Sequence, residues 1–515
     1  MNLRLPTRVA YPLIIHVVVF VFVVTGVCSR SIVPYWTIAL VVWAAVVPAS
    51  TSVPFFAAAI PLFVAIPLGV DFDNFNMWRI VALVIFLRWF LASFSWRSLY
   101  DMAIRWIRKP FLSPVATSLI GLGMLAFLSV IVAADRHAWA LRMIFFLNAA
   151  LVPIVAYAVS LHDKSVRRDT ITAIAWSAIM VTVAGFIQLA STYLMDIYAF
   201  MRIWGEGIQF RQFGALWSQI AVHMGNTWLA YYGAQLSLRM FSLFPDSHSF
   251  PVFLLLAVAG LAAIGFKPLT NGIWRTRGNL SVVWIPFALL AIILSGTRGI
   301  WAASVGVPLI IFAVSWWMRR TEIATDRRLA WRYLAVWMAA FYLLFAVAWP
   351  IFVSPQFLLS GGNRNLLIGR FRSIVDFGET SNRARLVIWS ASIKSIVHHP
   401  LLGVGLGNFP VVLGQQTILS KAGSSAHNIW LHIASELGVV ALVPAVALFL
   451  LTIIGAYRVF LRTTDDALSW YAGWMLIALP WIAAYLLTDA ALFDERALLM
   501  FGVSIALIRS ATNDL

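Results

Sequence analysis

Charge is what this sequence has least of. Only 11% of its 515 residues are Asp, Glu, Lys or Arg, where a soluble globular chain has roughly a quarter. That scarcity excludes a soluble enzyme. It also excludes a disordered chain, which needs low hydrophobicity. Cysteine is nearly absent: Cys28 stands alone, so neither an intrachain disulfide nor a cysteine-based metal cluster can form. Strict alternation in segments of roughly ten residues, the mark of a transmembrane barrel, is missing. There is no P-loop, no HExxH and no GxSxG. The glycines at 403, 405 and 407 do not fit a dinucleotide fingerprint, which needs a βαβ unit.

What is present is apolar length. Hydrophobic residues make up 62% of the chain, in runs of about 16–22 residues separated by short polar breaks, long enough to cross a bilayer. The expected fold is an all-α polytopic membrane protein with about fourteen transmembrane helices, twelve being the alternative count. Their centres fall near Val19, Leu40, Phe63, Val84, Leu125, Ala150, Val181, Leu256, Leu289, Pro308, Phe341, Leu448, Leu479 and Ser504. Arg4 and Arg8 before the apolar Tyr11–Val27 stretch imitate a signal peptide; more spans follow, and the stretch reads as an uncleaved first helix. Arg88 falls inside the fourth run. There it either serves a function or marks an early end of the span.

Basic residues outnumber acidic ones 37 to 20, a formal net charge of +17. In a soluble protein that would suggest nucleic acid; in a polytopic one it records topology, since cytoplasmic loops are enriched in Lys and Arg. With the N-terminus inside, the inside loops after the fourth, sixth, eighth, tenth and twelfth spans are all basic: Arg97, Arg105, Arg108 and Lys109; Lys164, Arg167 and Arg168; Lys267, Arg275 and Arg277; Arg319 to Arg332; Arg458 and Arg462. Both termini are therefore expected on the cytoplasmic side. The chain divides into N-terminal helices (1–194), a first long periplasmic loop (195–249), central helices (250–353), a large periplasmic loop (354–426) and C-terminal helices (427–515).

The two long outer loops carry arginine: Arg202, Arg211 and Arg239 in the first; Arg364, Arg370, Arg372, Arg383 and Arg385 in the second. Arginine gathered beside a membrane suits an anionic ligand such as a phosphate. Within the second loop, Leu386, Trp389, Ile393 and Ile396/Val397 share one stripe at helical spacing, which predicts an amphipathic interfacial helix ending at His398-His399-Pro400. The glycines from Gly403 and Gly405 onward would allow a tight turn and close backbone approach to a ligand. Ser424-Ser425 suggest a helix start at His427. If His427-Asn428 opens a helix, His427 and Gly438 return to one face, and His432 and Glu436 point elsewhere. That geometry favours His427 over His432 as the functional imidazole. Asp246 and His248, just before a span, either line an acceptor site or cap a helix.

Four segments occur in order: Ser295-Gly296-Thr297-Arg298-Gly299, the Arg385-x3-Trp389 pattern, HPLLGVGLGNFP at 399–410 and AHNIWLHIASELG at 426–438. Together they resemble the O-antigen ligase and O-antigen polymerase (Wzy-type) superfamily, over about 295–451. The resemblance implies a GT-C-like fold, a bacterial inner-membrane location, and transfer of a glycan from an undecaprenyl-diphosphate carrier to an acceptor hydroxyl on the periplasmic face. It implies no cofactor and no metal. By the same resemblance, Arg298, Arg385 and its neighbour Arg383 hold the diphosphate with help from Arg211, and His427 handles the acceptor. Asn428, Gly403, Gly405, Arg370 and His248 are supporting candidates. Implied partners are the carrier-linked glycan, an acceptor glycan or lipid A core, membrane lipids and a chain-length regulator, with no nucleic acid.

Each candidate has a plainer reading. Arg298 would be an interfacial arginine snorkelling to head groups; Arg383 and Arg385, like Arg370 and Arg372, would simply attract anionic lipid; His427 would be an ordinary helix-start histidine. The competing function is a flippase for lipid-linked oligosaccharides. A flippase would need polar groups near the bilayer midplane, whereas the charge here sits at the edges. Ligase and polymerase share the motifs; the GVGLGNFP segment leans toward polymerase.

Overall fold

The computed structural model describes residues 3–69, 75–93, 113–215, 217–218, 228–232, 235–266, 280–318, 327–358, 380–415 and 425–514. Arg364, Arg370 and Arg372 lie outside these, as do the basic loops at 97–109, 267–277 and 319–320. Along the chain run α1 (Thr7–Thr25), α2 (Val33–Val46), α3 (Ala49–Ala59), α4 (Trp78–Ser93), α5 (Pro114–Leu128), α6 (Arg136–His162), α7 (Lys164–Ser191) and α8 (Ser249–Gly265). Then follow α9 (Leu280–Leu294), α10 (Arg298–Met318), α11 (Arg327–Val353), α12 (Thr380–His398), α13 (Ile429–Leu437), α14 (Leu442–Arg462), α15 (Asp466–Tyr485) and α16 (Glu495–Thr512).

Among the described residues, seven helices are long and apolar enough to cross a membrane: Thr7–Thr25, Pro114–Ile131, Arg136–His162, Lys164–Ser191, Ala335–Val353, Val439–Arg462 and Asp466–Tyr485. Four more are apolar but shorter: Arg30–Val46, Ala49–Leu62, Ser249–Gly265 and Leu280–Leu294. The third expected span is misplaced. Its centre, Phe63, lies just past a helix that ends in the 3-10 turn Ile60–Leu62, where the chain turns into a strand. Helix α4 runs on past Arg88 to Ser93.

The fold is not purely helical. A short hairpin pairs β1 (Ala65–Ile66) with β2 (Phe75–Asn76) in the register Ala65↔Asn76. A second pairs β3 (Leu229–Tyr232) with β4 (Gln235–Leu238), Leu229↔Leu238. The first long loop is therefore structured over its described residues. It carries the helical segment 197–213 and this hairpin, whose β4 amide at Leu238 donates to Gln356 Oε1 at 2.8 Å.

Scarce acids are spent on helix starts. Asp135 accepts from the His137 and Ala138 amides, Asp163 from Ser165, Asp465 from Ala467 and Leu468, and Asp494 from Arg496 and Ala497. Each satisfies amides that lack an intrahelical partner. Helix α8 sits at the centre with every residue buried, packed against α7, α9, α15 and α16. Buried tryptophans find carbonyls there: Trp474 Nε1 donates to Leu255 O at 2.6 Å and Trp481 Nε1 to Ile300 O at 2.8 Å, as a buried indole requires.

The bundle has two distinct ends. Arg167 Nη1 meets Asp514 Oδ2 at 2.8 Å, Arg168 meets Asp465 at 2.9 Å, and Arg8 meets Asp169 at 3.9 Å. Both terminal segments, the α6–α7 turn and the α14–α15 turn thus share one end. Helix α15 carries the chain from Asp465 to Tyr485, a rise of about 30 Å at 1.5 Å per residue. The opposite end gathers His248, Asp489 and the start of α10.

Candidate functional site

The site begins with an aspartate turn. Asp246 Oδ1 accepts from the His248 and Ser249 amides, each at 2.8 Å, and from Ser249 Oγ at 2.9 Å. This starts α8 and holds His248 at its mouth. His248 Nδ1 then lies 2.7 Å from Asp489 Oδ2, in the loop after α15, and 3.3 Å from the Tyr485 hydroxyl. Its Nε2 lies 3.2 Å from Arg239 Nη2. A guanidinium can only donate, so Nε2 accepts. Nδ1 therefore carries the proton and donates to Asp489. Arg239 also donates to Thr297 Oγ1 at 3.3 Å, and that hydroxyl donates to Ser247 O at 2.8 Å.

Thr297 belongs to the Ser295–Gly299 segment, so this network fixes the start of α10 and with it Arg298. Gly299 is required there: a Cβ would come 2.6 Å from Thr488 Oγ1 and 2.8 Å from Tyr485 Cε2. The first turn of α10 thus packs directly against the segment leading to Asp489.

His427 reaches the same end by a different route. It precedes α13, with φ at +45°. Asn428 is the cap, its side chain accepting from the Trp430 and Leu431 amides at 3.0 and 3.1 Å. The Ile429 amide donates to Leu486 O at 2.9 Å, which ties the start of α13 to the end of α15. Trp389 Nε1 on α12 donates to Ala426 O at 2.9 Å, which brings the Arg385 helix alongside. The charges acting on the His427 ring are those of Asp489, Arg385, His248 and His432. Among the described residues none hydrogen-bonds that ring.

These positions correct the helical-face expectation. His427 stands before the helix, and Gly438 is its C-cap with φ at +85°; the two do not share a helix face. His432 is buried, stacked on Phe409 with centroids 4.5 Å apart, its Nε2 3.3 Å from Glu436 Oε1. The glycine-rich segment is built for packing. Gly403, Gly405 and Gly407 all have positive φ, and a Cβ would strike the Ser435–Glu436 backbone, Ala133 and Ala138 respectively. The Val404 and Gly405 amides donate to Ser435 O and Glu436 O at 2.9 and 3.0 Å. Asn408 then takes the Asp135 amide at 2.7 Å and donates to Asp135 O at 3.1 Å. The segment buckles α13 to the α5–α6 turn.

Electrostatics follows from burial. Burial lowers the His427 pKa below the ordinary imidazole value, Asp489 partly opposes this, and Arg385 and His248 reinforce it. The ring is accordingly neutral at neutral pH and able to accept a proton. For Asp489, burial pushes the pKa up, but the His248 contact with His427 and Arg385 nearby holds it well below the usual carboxylate range. Among the described residues no group of three or more His, Cys, Asp or Glu side chains is placed to hold a metal ion.

Of the sequence candidates, Arg298, Arg385, His427 and His248 come to one end, with Asn428 as a cap. Arg385 is half-buried and Arg383 exposed on α12. Arg211 stands apart: its Nη1 donates to Val24 O at 3.1 Å, beside the α1–α2 turn. Arg370 falls outside the described residues. Sequence reasoning missed Asp489 and Tyr485, and it counted Arg239 only among the loop arginines. The available signal was an acid in the short loop before the last span of an acid-poor chain.

Compared with known proteins, residues 283–446 match the family model described as O-antigen ligase, Wzy_C. No curated protein matches. The match takes in Arg298, Arg385 and His427; Arg239, His248, Tyr485 and Asp489 lie outside it. That stretch, about a third of the chain, is thus similar to the O-antigen ligase family, as its motifs are.

Proposed function

We propose that this protein is a glycosyltransferase that moves a glycan from an undecaprenyl-diphosphate carrier onto an acceptor hydroxyl, at the non-cytoplasmic face of the bacterial inner membrane. The observation that carries the reading is the half-buried His427 ring set among Arg385, Asp489 and His248 at the end of the bundle opposite both termini. With the termini cytoplasmic, as the basic loops suggest, that end is periplasmic.

The chemistry is a single displacement. The acceptor oxygen attacks the anomeric carbon as its proton passes to His427, and the carbon–oxygen bond to the diphosphate breaks. The electron pair leaves with the diphosphate, and attack from the face opposite it inverts the anomeric configuration. Arg298 and Arg385, with Arg383 nearby, supply permanent bidentate donors for the growing negative charge. Such stabilisation contributes roughly 3–4 kcal/mol per well-placed donor, and a base near neutrality adds about 10²–10⁴-fold. The hydrogen-bonded set Asp489–His248–Arg239 keeps the wall of the site rigid beside the start of α10.

The test is product analysis. The reconstituted protein is given carrier-linked repeat units with and without lipid A core. A ladder formed without core identifies a polymerase, and one addition onto core identifies a ligase. No transfer under either condition, with correct membrane insertion, overturns the reading.

A further inference from the structure

The cavity around Arg211 is not absorbed by that function. It is a pocket of about 680 Å³ between the end of α1, the start of α2 and the turn Phe210–Phe213, lined by Cys28, Arg30, Tyr35, Phe210 and Arg211 among others. Two guanidinium groups face it. Arg30 lies over the Phe210 ring at 4.9 Å and donates to Ala65 O at 3.2 Å. Arg211 donates to Val24 O, a carbonyl that leaves its charge intact. Gly26 makes room, since a Cβ there would come 2.6 Å from Arg211 Nη2. Among the described residues that line the pocket there is no carboxylate.

The surroundings are apolar and open. Tyr35 at the mouth is 73% exposed. Val18, Val21 and Phe22 on α1 and Ile38 and Val42 on α2 are exposed along the helices that lead away from it. The Arg211 guanidinium suits a phosphate, and exposed apolar helix faces running from the same point suit acyl chains.

We infer that this cavity binds the phosphodiester head of an anionic phospholipid of the leaflet at the site end, as a lipid site separate from the His427 centre. The inference does not depend on the transfer chemistry. Arg211 holds the phosphate and the exposed stripes of α1 and α2 carry its chains.

Cys28, the chain's single cysteine, lines the pocket and reports its occupancy. The full chain, in a neutral maltoside detergent, is titrated with phosphatidylglycerol, with diacylglycerol of the same chains, or with inorganic phosphate, and the rate of Cys28 alkylation is measured. Phosphatidylglycerol slows it by about tenfold, the size expected for a charge-assisted bond, and the other two leave it unchanged. Arg211→Gln removes the protection, Arg211→Lys keeps part of it, and His427→Ala keeps all of it. Equal protection by diacylglycerol reduces the site to an apolar groove and overturns the proposal. Equal protection by inorganic phosphate overturns the lipid assignment, and no protection by phosphatidylglycerol in the unmutated chain overturns it outright.

Discussion

The two ends of this bundle do not use arginine alike. At the end that gathers the termini, guanidinium groups are matched to carboxylates: Arg167 to Asp514, Arg168 to Asp465, Arg8 to Asp169. At the other end Arg496 meets Glu495 at 3.8 Å, whereas Arg211 donates to a backbone carbonyl. A carboxylate cancels the charge it binds, while a neutral acceptor orients the group and leaves its charge available. The difference separates arginine that fastens helices from arginine that can grip an anion.

Substitutions at the two ends should therefore fail differently. The largest effect is expected from His427→Ala and Arg385→Ala, each lowering transfer by about 10²–10³-fold with unchanged thermal unfolding; product formation by the purified variants measures it. Transfer undiminished in both would remove the site assignment. Asp489→Asn comes next. It takes the charge from the partner of His248 and should cost roughly tenfold or more in transfer, read as a fall in kcat larger than any change in KM. At the opposite end Arg167→Gln should leave transfer intact and lower stability by roughly 1–3 kcal/mol, seen as a lower Tm in detergent. A loss of transfer there without a loss of stability would dissolve the contrast between the ends.

Two pH effects are smaller. The His427 pKa is lowered by burial, so its base form is already present below pH 6.5. Transfer should rise with pH only on the acid side and level off before neutrality, and His427→Gln should flatten that limb. Burial raises Asp494 to about 7. A carboxyl raised on folding favours the folded state at low pH, and that contribution fades as pH climbs from about 4 to 7. The Tm should fall over that window, and Asp494→Asn, which keeps an oxygen for the cap, should abolish the trend.

Much of the architecture was legible because lipid imposes long apolar runs, and nearly every expected span centre falls inside a helix. Phe63 is the exception: hydropathy continues past Leu62, but the chain turns and pairs as β1. Arg298, Arg385 and His427 stand in motifs that occur in order along the sequence, and the fold brings them to one end. The backbone at His427 was not legible, because a positive φ leaves no periodic trace. Asp489 and His248 are 241 residues apart in sequence, a pairing that no local pattern carries. The glycine run suggested ligand contact, but its small residues serve close approach between chain segments.

The buckle at 403–408 has a consequence for anyone who would move this chemistry to another host. Asn408 clasps Asp135, and the Leu406 amide donates to Ser129 Oγ at 3.1 Å, so the stretch matching the family model is sewn to the chain's N-terminal half. A chimera that transplants 283–446 alone would leave those stitches without cloth. The portable unit must bring the turn at 129–138 with it.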